Sequence, residues 1–309
     1  MRLLTKYTNG NYNVKLFSDG TKIRYNDLDY FAPSFAESMD ITITEKCSGV
    51  PEYDNGKLCE YCYLCCNPKG KHADLNNPIL DTIHPGIELA INANDCSHPD
   101  LENFLIRMKD KGVFVNMTIN QKHLVSNINK LIDWQSRQLI WGIGISLIDS
   151  ADPNLINCIN KLNNTVIHVI DGCFTKQDLE NLKNKNIKLL ILGFKHKGRG
   201  VDYYNKHKEE VDNNIDFLKN HLYDYTQNFN GFGFDNLATK NLNIRKLVGE
   251  EKWSKYHMGS EGEFTLFLDL VNKRYAVSSM ETENIFDLKP DDTIDTIFHH
   301  VRSIVGFDN

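Results

Sequence analysis

The sequence predicts an α/β fold built on a parallel β-sheet, and three observations carry this prediction. Short runs rich in β-branched and other apolar residues recur between Met39 and Phe194. Segments with apolar residues at helical spacing separate these runs. The runs are almost continuously apolar, as in parallel strands that are covered on both faces. Alternation of this kind builds βαβ units, so one parallel sheet is expected.

Six strands are predicted, at residues 39–44, 86–92, 113–119, 139–148, 165–170 and 187–194. Helices are predicted between and after them, at residues 98–112, 123–137, 152–163, 175–186 and 207–225. The first helix carries Leu101, Phe104 and Leu105 at helical spacing and ends near Gly112, a favourable C-cap residue. The third has Pro153 in its first turn, where proline is tolerated.

Both ends of the chain predict additional β-structure. Asn9-Gly10 and the turn at 18–20 predict a small N-terminal β-hairpin or meander. Residues 229–235 predict a seventh strand, and residues 263–279 a C-terminal β-hairpin that turns at Asn272-Lys273. The domain division expected from these patterns is a β-hairpin region at 1–36, the α/β region at 37–228, and an extension packed on it at 229–309.

Composition excludes several classes of protein. The 309 residues are 41% hydrophobic and 25% charged, a globular balance. The first residues show no apolar run of signal-peptide length, and no stretch approaches the roughly 20 apolar residues that span a bilayer. A formal net charge of −6 gives no global footprint for nucleic acid. We therefore expect a cytoplasmic protein with no membrane partner.

Five of the eight cysteines lie in one stretch, "KCSGVPEYDNGKLCEYCYLCC" at 46–66. Cytoplasmic thiols stay reduced, so metal binding or catalysis is favoured over disulfides. The stretch follows the first predicted strand, and ligands bind at the carboxyl edge of parallel sheets. The spacing allows the thiols to meet at one metal centre, either an iron–sulfur cluster or a zinc knuckle that stabilises the loop. Cys158, in a predicted helix, fits a small buried hydrophobe instead.

A strand, then a cysteine, then Cys59-Glu60-Tyr61-Cys62 leading into a six-unit β/α region resembles the radical S-adenosylmethionine (radical SAM) superfamily. The hallmark of that superfamily is Cys-x3-Cys-x2-Cys after the first strand, usually with an aromatic residue just before the third cysteine. The resemblance implies Cys47, Cys59 and Cys62 as metal ligands and Tyr61 as the aromatic residue at the cofactor.

The motif departs from the family pattern at one place. Eleven residues separate Cys47 from Cys59, where the family usually has three. Loop-closure entropy grows slowly with length, so an insertion is tolerable there. The competing ligand set is Cys59 and Cys62 with Cys65 or Cys66. Further segments resemble a partly phage-encoded radical SAM subgroup, at 67–75, 98–105, 192–200 and 256–279.

The resemblance implies a fold, two cofactors and a reaction. The fold is a partial (β/α)6 barrel of the radical SAM type. The cofactors are a [4Fe–4S] cluster, held by three thiolates, and S-adenosylmethionine (SAM) on the fourth iron. One electron from the cluster then cleaves SAM to a 5′-deoxyadenosyl radical, which abstracts hydrogen from a substrate. The substrate class stays open among peptide, nucleoside and small metabolite, and the electron donor is a protein such as flavodoxin or ferredoxin.

The resemblance also implies where SAM binds. The family's Gly-Gly-Glu-like turn after the second strand corresponds here to Asn92, Ala93, Asn94 and Asp95, which lack the glycines. The alternative for this segment is an ordinary strand–helix turn. On the fourth and fifth strands, Ser146 and His168 stand where the family contacts SAM, although His168 fits a satisfied core histidine equally well.

A basic run follows the sixth strand, with Lys195, Lys197 and Arg199 in "GFKHKGRG". Lys195 and Arg199 are expected to point into the cavity and to hold SAM's carboxylate or an anionic substrate group, because a local cationic site focuses anions. The alternative is a solvated turn, with Lys197 pointing outward. Residues 257–264 are expected to close over the site. The rival function is a non-catalytic zinc- or iron–sulfur-binding module with a degenerate radical SAM fold that recognises a partner.

Overall fold

The computed structural model describes residues 2–48 and 59–308. Most of the insertion between Cys47 and Cys59 falls on residues 49–58, so the expectation for that loop lies outside the described residues. The described chain has an N-terminal antiparallel sheet and a large, mainly parallel sheet with helices. Among the described residues, no helix is both long enough and apolar enough to cross a membrane.

The N-terminal sheet is a three-stranded meander rather than a hairpin alone. It consists of β1 (Leu3–Asn9), β2 (Tyr12–Phe17) and β3 (Lys22–Tyr25), paired antiparallel in sequence order. The predicted turns lie at Gly10 and Gly20, both with positive φ. A side chain at Gly10 would meet the Ala32 carbonyl oxygen at 1.7 Å, so this turn requires glycine.

The large sheet holds ten of the described strands, in the order β10-β9-β8-β7-β6-β5-β4-β11-β12-β13. The six predicted strands are β4 (Ser38–Thr42), β5 (Glu88–Asn94), β6 (Phe114–Asn120), β7 (Gly142–Ser146), β8 (Thr165–Ile170) and β9 (Lys188–Leu192). The others are β10 (Gly231–Phe234), β11 (Thr265–Asp269), β12 (Arg274–Ala276) and β13 (Ile285–Asp287). Pairing is parallel from β11 through β4 to β10, which is the alternating α/β arrangement that the sequence predicts.

The helices follow the predicted alternation. They are α1 (Leu101–Asp110), α2 (Leu124–Ser136), α3 (Pro153–Ile159), α4 (Lys176–Leu182), α5 (Arg199–His221), α6 (Asn236–Asn241), α7 (Ile244–Val248), α8 (Glu250–Tyr256) and α9 (Ile294–Ile304). Short 3-10 helices lie at Pro78–Thr82, Gln121–His123 and Leu222–Asn228. The N-caps fit the sequence, since Asp152 caps α3 and Thr175 forms a capping box with Asp178.

Two elements differ from the prediction. The helix predicted at 207–225 begins eight residues earlier, at Arg199, and has a non-helical backbone at His207, where two helices meet. The predicted C-terminal hairpin does form between β11 and β12, but β11 also pairs in parallel with β4. The extension therefore continues the main sheet. No pairing joins β10 to β11 among the described residues, so the sheet is not a closed barrel there.

The two faces of the parallel sheet have different surroundings, because strand side chains alternate between faces. One face is buried in the main apolar core, with residues such as Leu89, Val115, Ile145 and Ile167. The opposite face carries smaller or polar residues that line a cavity, at positions 40, 90, 118, 146 and 168. The sheet thus stabilises the fold with one face and presents a site with the other.

A candidate active-site cavity lined by thiols

A cavity of about 620 Å³ lies against the polar face of the sheet, within the range of small-molecule sites. Each strand from β4 to β11 contributes at least one residue to its wall. The N-terminal sheet contributes Lys22 and Arg24. These two cations pair with the buried Glu37 and with Glu88, which lie at the amino ends of β4 and β5, so this end of the cavity is built from ion pairs.

Four thiols line the cavity, those of Cys47, Cys59, Cys62 and Cys66. Cys47 follows β4, so it lies at the carboxyl edge of the sheet. Cys65 has a positive φ, is exposed, and does not line the cavity. The structure therefore brings the three predicted ligands together with Cys66, one of the two alternatives.

The thiols in this group differ in acidity. A hydrogen bond from the Cys66 side chain lowers the pKa of the Cys62 thiol to about 6, against burial, which acts in the opposite direction. The same hydrogen bond, followed by burial, raises the pKa of Cys66. Burial and the neighbouring Cys59 raise the pKa of Cys47 to about 12. One thiolate, on Cys62, is thus favoured before any metal binds.

Side-chain nitrogen atoms lie near two of the sulfur atoms. The residues that carry them, Asn120 and His123, are not among those predicted from the sequence. Asn120 Nδ2 lies 3.7 Å from Cys59 Sγ, and His123 Nε2 lies 3.9 Å from Cys47 Sγ. Asn120 is the last residue of β6, and His123 is the last residue of the 3-10 helix that follows it. The signal in the sequence is a polar "NQKH" at the carboxyl end of an apolar strand, the edge where ligands bind.

Arg199 holds the thiol segment in place. Its Nε donates to the Cys59 carbonyl oxygen at 2.8 Å, and its Nη2 donates to that of Cys66 at 3.0 Å. The backbone N–H of Arg199 also donates to the Cys62 carbonyl oxygen at 3.2 Å. The side chain lines the cavity, while these bonds occupy part of its donor capacity.

The segment Asn92–Asp95 directs its polar atoms mainly toward the start of the thiol segment. Asn92 accepts from Ile43 N and donates to the Thr44 carbonyl oxygen, and Asn94 donates to the Lys46 carbonyl oxygen at 2.9 Å. Asp95 accepts from the backbone N–H and the hydroxyl of Ser48. Asn92 and Asn94 line the cavity, whereas the Ala93 side chain is buried in the core.

Ser146 and His168 lie opposite each other in register on β7 and β8, and both line the cavity. Burial lowers the pKa of His168 to about 4, so the imidazole is neutral at neutral pH. No hydrogen bond to the His168 ring exists within the described part of the chain. The ring lies against Gly144, where an added Cβ would be 2.3 Å from His168 Cε1. Glycine at 144 is what makes room for the ring.

The other members of the basic run contact the C-terminal segment. Lys195 Nζ donates to Ser279 Oγ at 2.7 Å and lies 3.9 Å from the centre of the Tyr63 ring. Lys197 Nζ, expected to point outward, donates to the carbonyl oxygens of Ser279 and Glu281. Lys195 lines the cavity, and Lys197 fixes the segment that follows β12.

Residues from the region expected to close over the site do reach the cavity, namely Met258, Gly259 and Glu261. Tyr61, the aromatic residue between the thiols, lines it as well and meets Tyr203 edge-on, with ring centroids 5.6 Å apart. Within residues 2–48 and 59–308, no three Cys, His, Asp or Glu side chains form a ready-made site for a metal ion.

Comparisons with known proteins support the fold. No family model matches the chain, and no curated protein matches it. Among solved structures, the chain is similar to SuiB from Streptococcus suis bound to S-adenosylmethionine, with a TM-score of 0.55 and 12% identity. The likeness covers 86% of this chain and 64% of SuiB, so the chain matches less than two thirds of that protein. It shows a likeness of fold.

Proposed function

We propose that the chain is a radical SAM enzyme with a partial (β/α)6 barrel. The observation that carries this proposal is the group of Cys47, Cys59 and Cys62 thiols at the carboxyl edge of a parallel sheet, opening on a cavity. The chemistry of this group fits an iron–sulfur cluster. It supplies soft thiolate ligands, a hydrogen bond from a neighbouring thiol lowers the pKa of Cys62, and side-chain nitrogens lie next to two of the sulfur atoms.

Cys47, Cys59 and Cys62 would hold a [4Fe–4S] cluster. When bound, that cluster supplies the electron that cleaves SAM to methionine and a 5′-deoxyadenosyl radical for hydrogen abstraction from a substrate. The chain's own residues would position the thiol segment and enclose the cavity. Arg199 fixes the backbone of the thiol segment, and Tyr61 packs beside it. A cavity lined largely by protein side chains limits water near a reactive species.

Polar residues at the cavity wall suit SAM. Asn92 and Asn94 lie beside the thiols, and Ser146 and His168 lie on the adjacent strands. Asp95 is engaged with Ser48, and Ala93 can contribute only its backbone atoms, so we assign the SAM amino group to the neighbourhood of Asn94. We further propose that a one-electron donor such as flavodoxin or ferredoxin reduces the cluster.

Anaerobic reconstitution tests the cofactor part of this proposal. We expect about four irons and four sulfides per chain and, after reduction, an electron paramagnetic resonance (EPR) signal that SAM perturbs. Binding of a single zinc ion, with no iron–sulfur cluster formed under the same conditions, would instead support the rival function of a non-catalytic metal-binding module.

A further inference from the structure

Asp40 lies on the cavity face of β4 between two residues that offer it no hydrogen bond. In register, it stands opposite Ala90 of β5 and Phe267 of β11, and all three line the cavity. The Asp40 side chain is exposed, and its accessible surface belongs to the cavity wall. Within the described residues, no hydrogen bond or ion pair to the Asp40 side chain exists. The carboxylate therefore faces the open cavity without a protein partner, and a cationic ligand in the cavity would supply one.

Two further carboxylates line the same cavity, those of Asp235 and Glu261. Asp235 Oδ1 accepts from the backbone N–H groups of Gly193 and Ala238, and Ser278 hydrogen-bonds Glu261. Burial raises the pKa of Asp40, and the nearby Asp235 raises it further. Asp235 likewise raises the pKa of Glu261, so it lies close enough to interact with both carboxylates, and a cation between them would relieve the repulsion.

Three of the cations at the cavity wall, Lys22, Arg24 and Lys195, form no ion pair with these carboxylates. Lys22 pairs with Glu88 at 2.9 Å, and Arg24 pairs with Glu37 at 2.7 Å and donates to the Met258 carbonyl oxygen, so both cations already have partners. Lys195 does lower the pKa of Asp40. Its ammonium contacts a hydroxyl and an aromatic ring, and among the described residues no carboxylate oxygen lies within 4.0 Å of it. Lys195 therefore lowers the pKa of all three carboxyl groups without forming an ion pair with any of them.

We infer that Asp40, Asp235 and Glu261 form a subsite for a cationic group of the substrate, an ammonium or guanidinium on a flexible chain. The aromatic rings of Phe234 and Phe267, which line the same cavity, suit such a group as well. This inference rests on the proposed function only in taking the cavity to be the substrate pocket. The inference predicts a cationic group on the ligand, whereas the basic run predicts an anionic one. The members of that run contact hydroxyl groups, carbonyl oxygens and a tyrosine ring.

Small probes test the sign of the charge without any turnover. The 309-residue chain is titrated with n-butylammonium, n-butylguanidinium, n-butanol and butyrate, and binding is followed by ligand-observed NMR. We expect both cations to bind at least about tenfold more tightly than the alcohol and the carboxylate, because only the cations can form a charge-assisted hydrogen bond to a carboxylate. Tighter binding of butyrate, or equal binding of all four, would overturn the inference.

Variants then locate the cation. Asp40→Asn should weaken n-butylammonium binding about tenfold or more, and Asp235→Asn should weaken it while keeping the helix cap that asparagine can also provide. Asp216→Asn, on the exposed side of α5, removes the same charge away from the cavity and should change nothing. Unchanged affinity in both cavity variants would contradict the inference.

Two controls test whether Asp40 has a structural role or a role in SAM binding instead. Asp40→Asn should unfold at the same or a higher temperature, because it removes a carboxylate that is repelled by Asp235 and has no ion-pair partner. A clearly lower unfolding temperature would show that Asp40 has a structural partner. SAM binding should survive the substitution. If Asp40→Asn weakens SAM binding as much as n-butylammonium binding, the carboxylates belong to the SAM site and the inference fails, while the proposed function stands.

Discussion

Arg199 Nε donates to the carbonyl oxygen of Cys59 at 2.8 Å, across 140 residues of sequence. This bond ties the first turn of α5 to the thiol segment, and so the helix that follows β9 fixes the loop that follows β4. A residue expected to bind an anion thus also has a positioning role in the thiol group.

Removal of this guanidinium should loosen the thiol segment. We expect Arg199→Ala to lower the free energy of unfolding by about 2 kcal/mol, since it removes two charge-assisted hydrogen bonds. Iron content after reconstitution should fall with it. Lys197→Ala is the matched control, because Lys197 contacts the segment after β12 instead. Unchanged stability and iron content in Arg199→Ala would show that the thiol segment holds its shape without this residue.

Single cysteine substitutions should divide the thiols into two classes. Cys47→Ala, Cys59→Ala and Cys62→Ala should each abolish the visible absorbance of the reconstituted cluster, because each removes a ligand. Cys65→Ala and Cys158→Ala should keep it, since Cys65 lies outside the cavity and Cys158 is buried on α3. Full absorbance in Cys47→Ala, together with loss in Cys66→Ala, would assign the third ligand to Cys66.

His168 should make the fold sensitive to acid. Burial lowers its pKa from 6.5 to about 4, so the unfolded chain binds a proton more readily than the folded one between these values. The stability that depends on a neutral His168 ring is fully present above pH 6.5 and is lost as the pH falls toward 4. The loss in the free energy of unfolding is at most about 3 kcal/mol.

Urea unfolding of the wild type and of His168→Gln at pH 7 and pH 5 measures this contribution. The wild type should lose more stability than the variant between the two pH values. An equal loss in both proteins, or a His168 pKa near 6.5 by NMR, would show that the ring is solvated in the folded state.

Gly144 and His168 should behave as one packing unit. A methyl group at 144 would overlap the imidazole, so Gly144→Ala should destabilise the protein by about 1–3 kcal/mol. In the His168→Ala background the same change should cost much less, because the ring is gone. Additive effects in this double-mutant cycle, measured by chemical unfolding, would mean that the ring moves aside without cost.

The sequence predicted the strands well because apolar runs mark buried parallel strands directly. Residues 165–170 were predicted to the residue, as Thr165–Ile170. The sequence did not predict the parallel pairing of β11 with β4, because a hairpin pattern predicts only the neighbouring strand that is close in sequence. The early start of α5 was missed because Gly198 and Gly200 predict a loop, although the backbone uses Gly198 at positive φ just before the helix.

The site was predictable where it depends on the edge of the sheet and less so where it depends on packing. The thiols, Ser146 and His168 share the cavity because the carboxyl ends of parallel strands meet at one edge. The roles of Asn120 and His123 depend on distances to sulfur atoms that no local pattern encodes. Asp40 left a signal, an acidic residue inside the β-rich run "MDITIT", but only the strand register shows that its neighbours are Ala90 and Phe267.

Product analysis is the most direct test of radical SAM activity in this chain. The reconstituted chain is reduced and incubated with SAM, and 5′-deoxyadenosine and methionine are quantified beside Cys59→Ala treated identically. We predict both products in equal amounts from the wild type and neither from the variant. Absence of 5′-deoxyadenosine from wild-type protein that holds about four irons and binds SAM would contradict the proposed function.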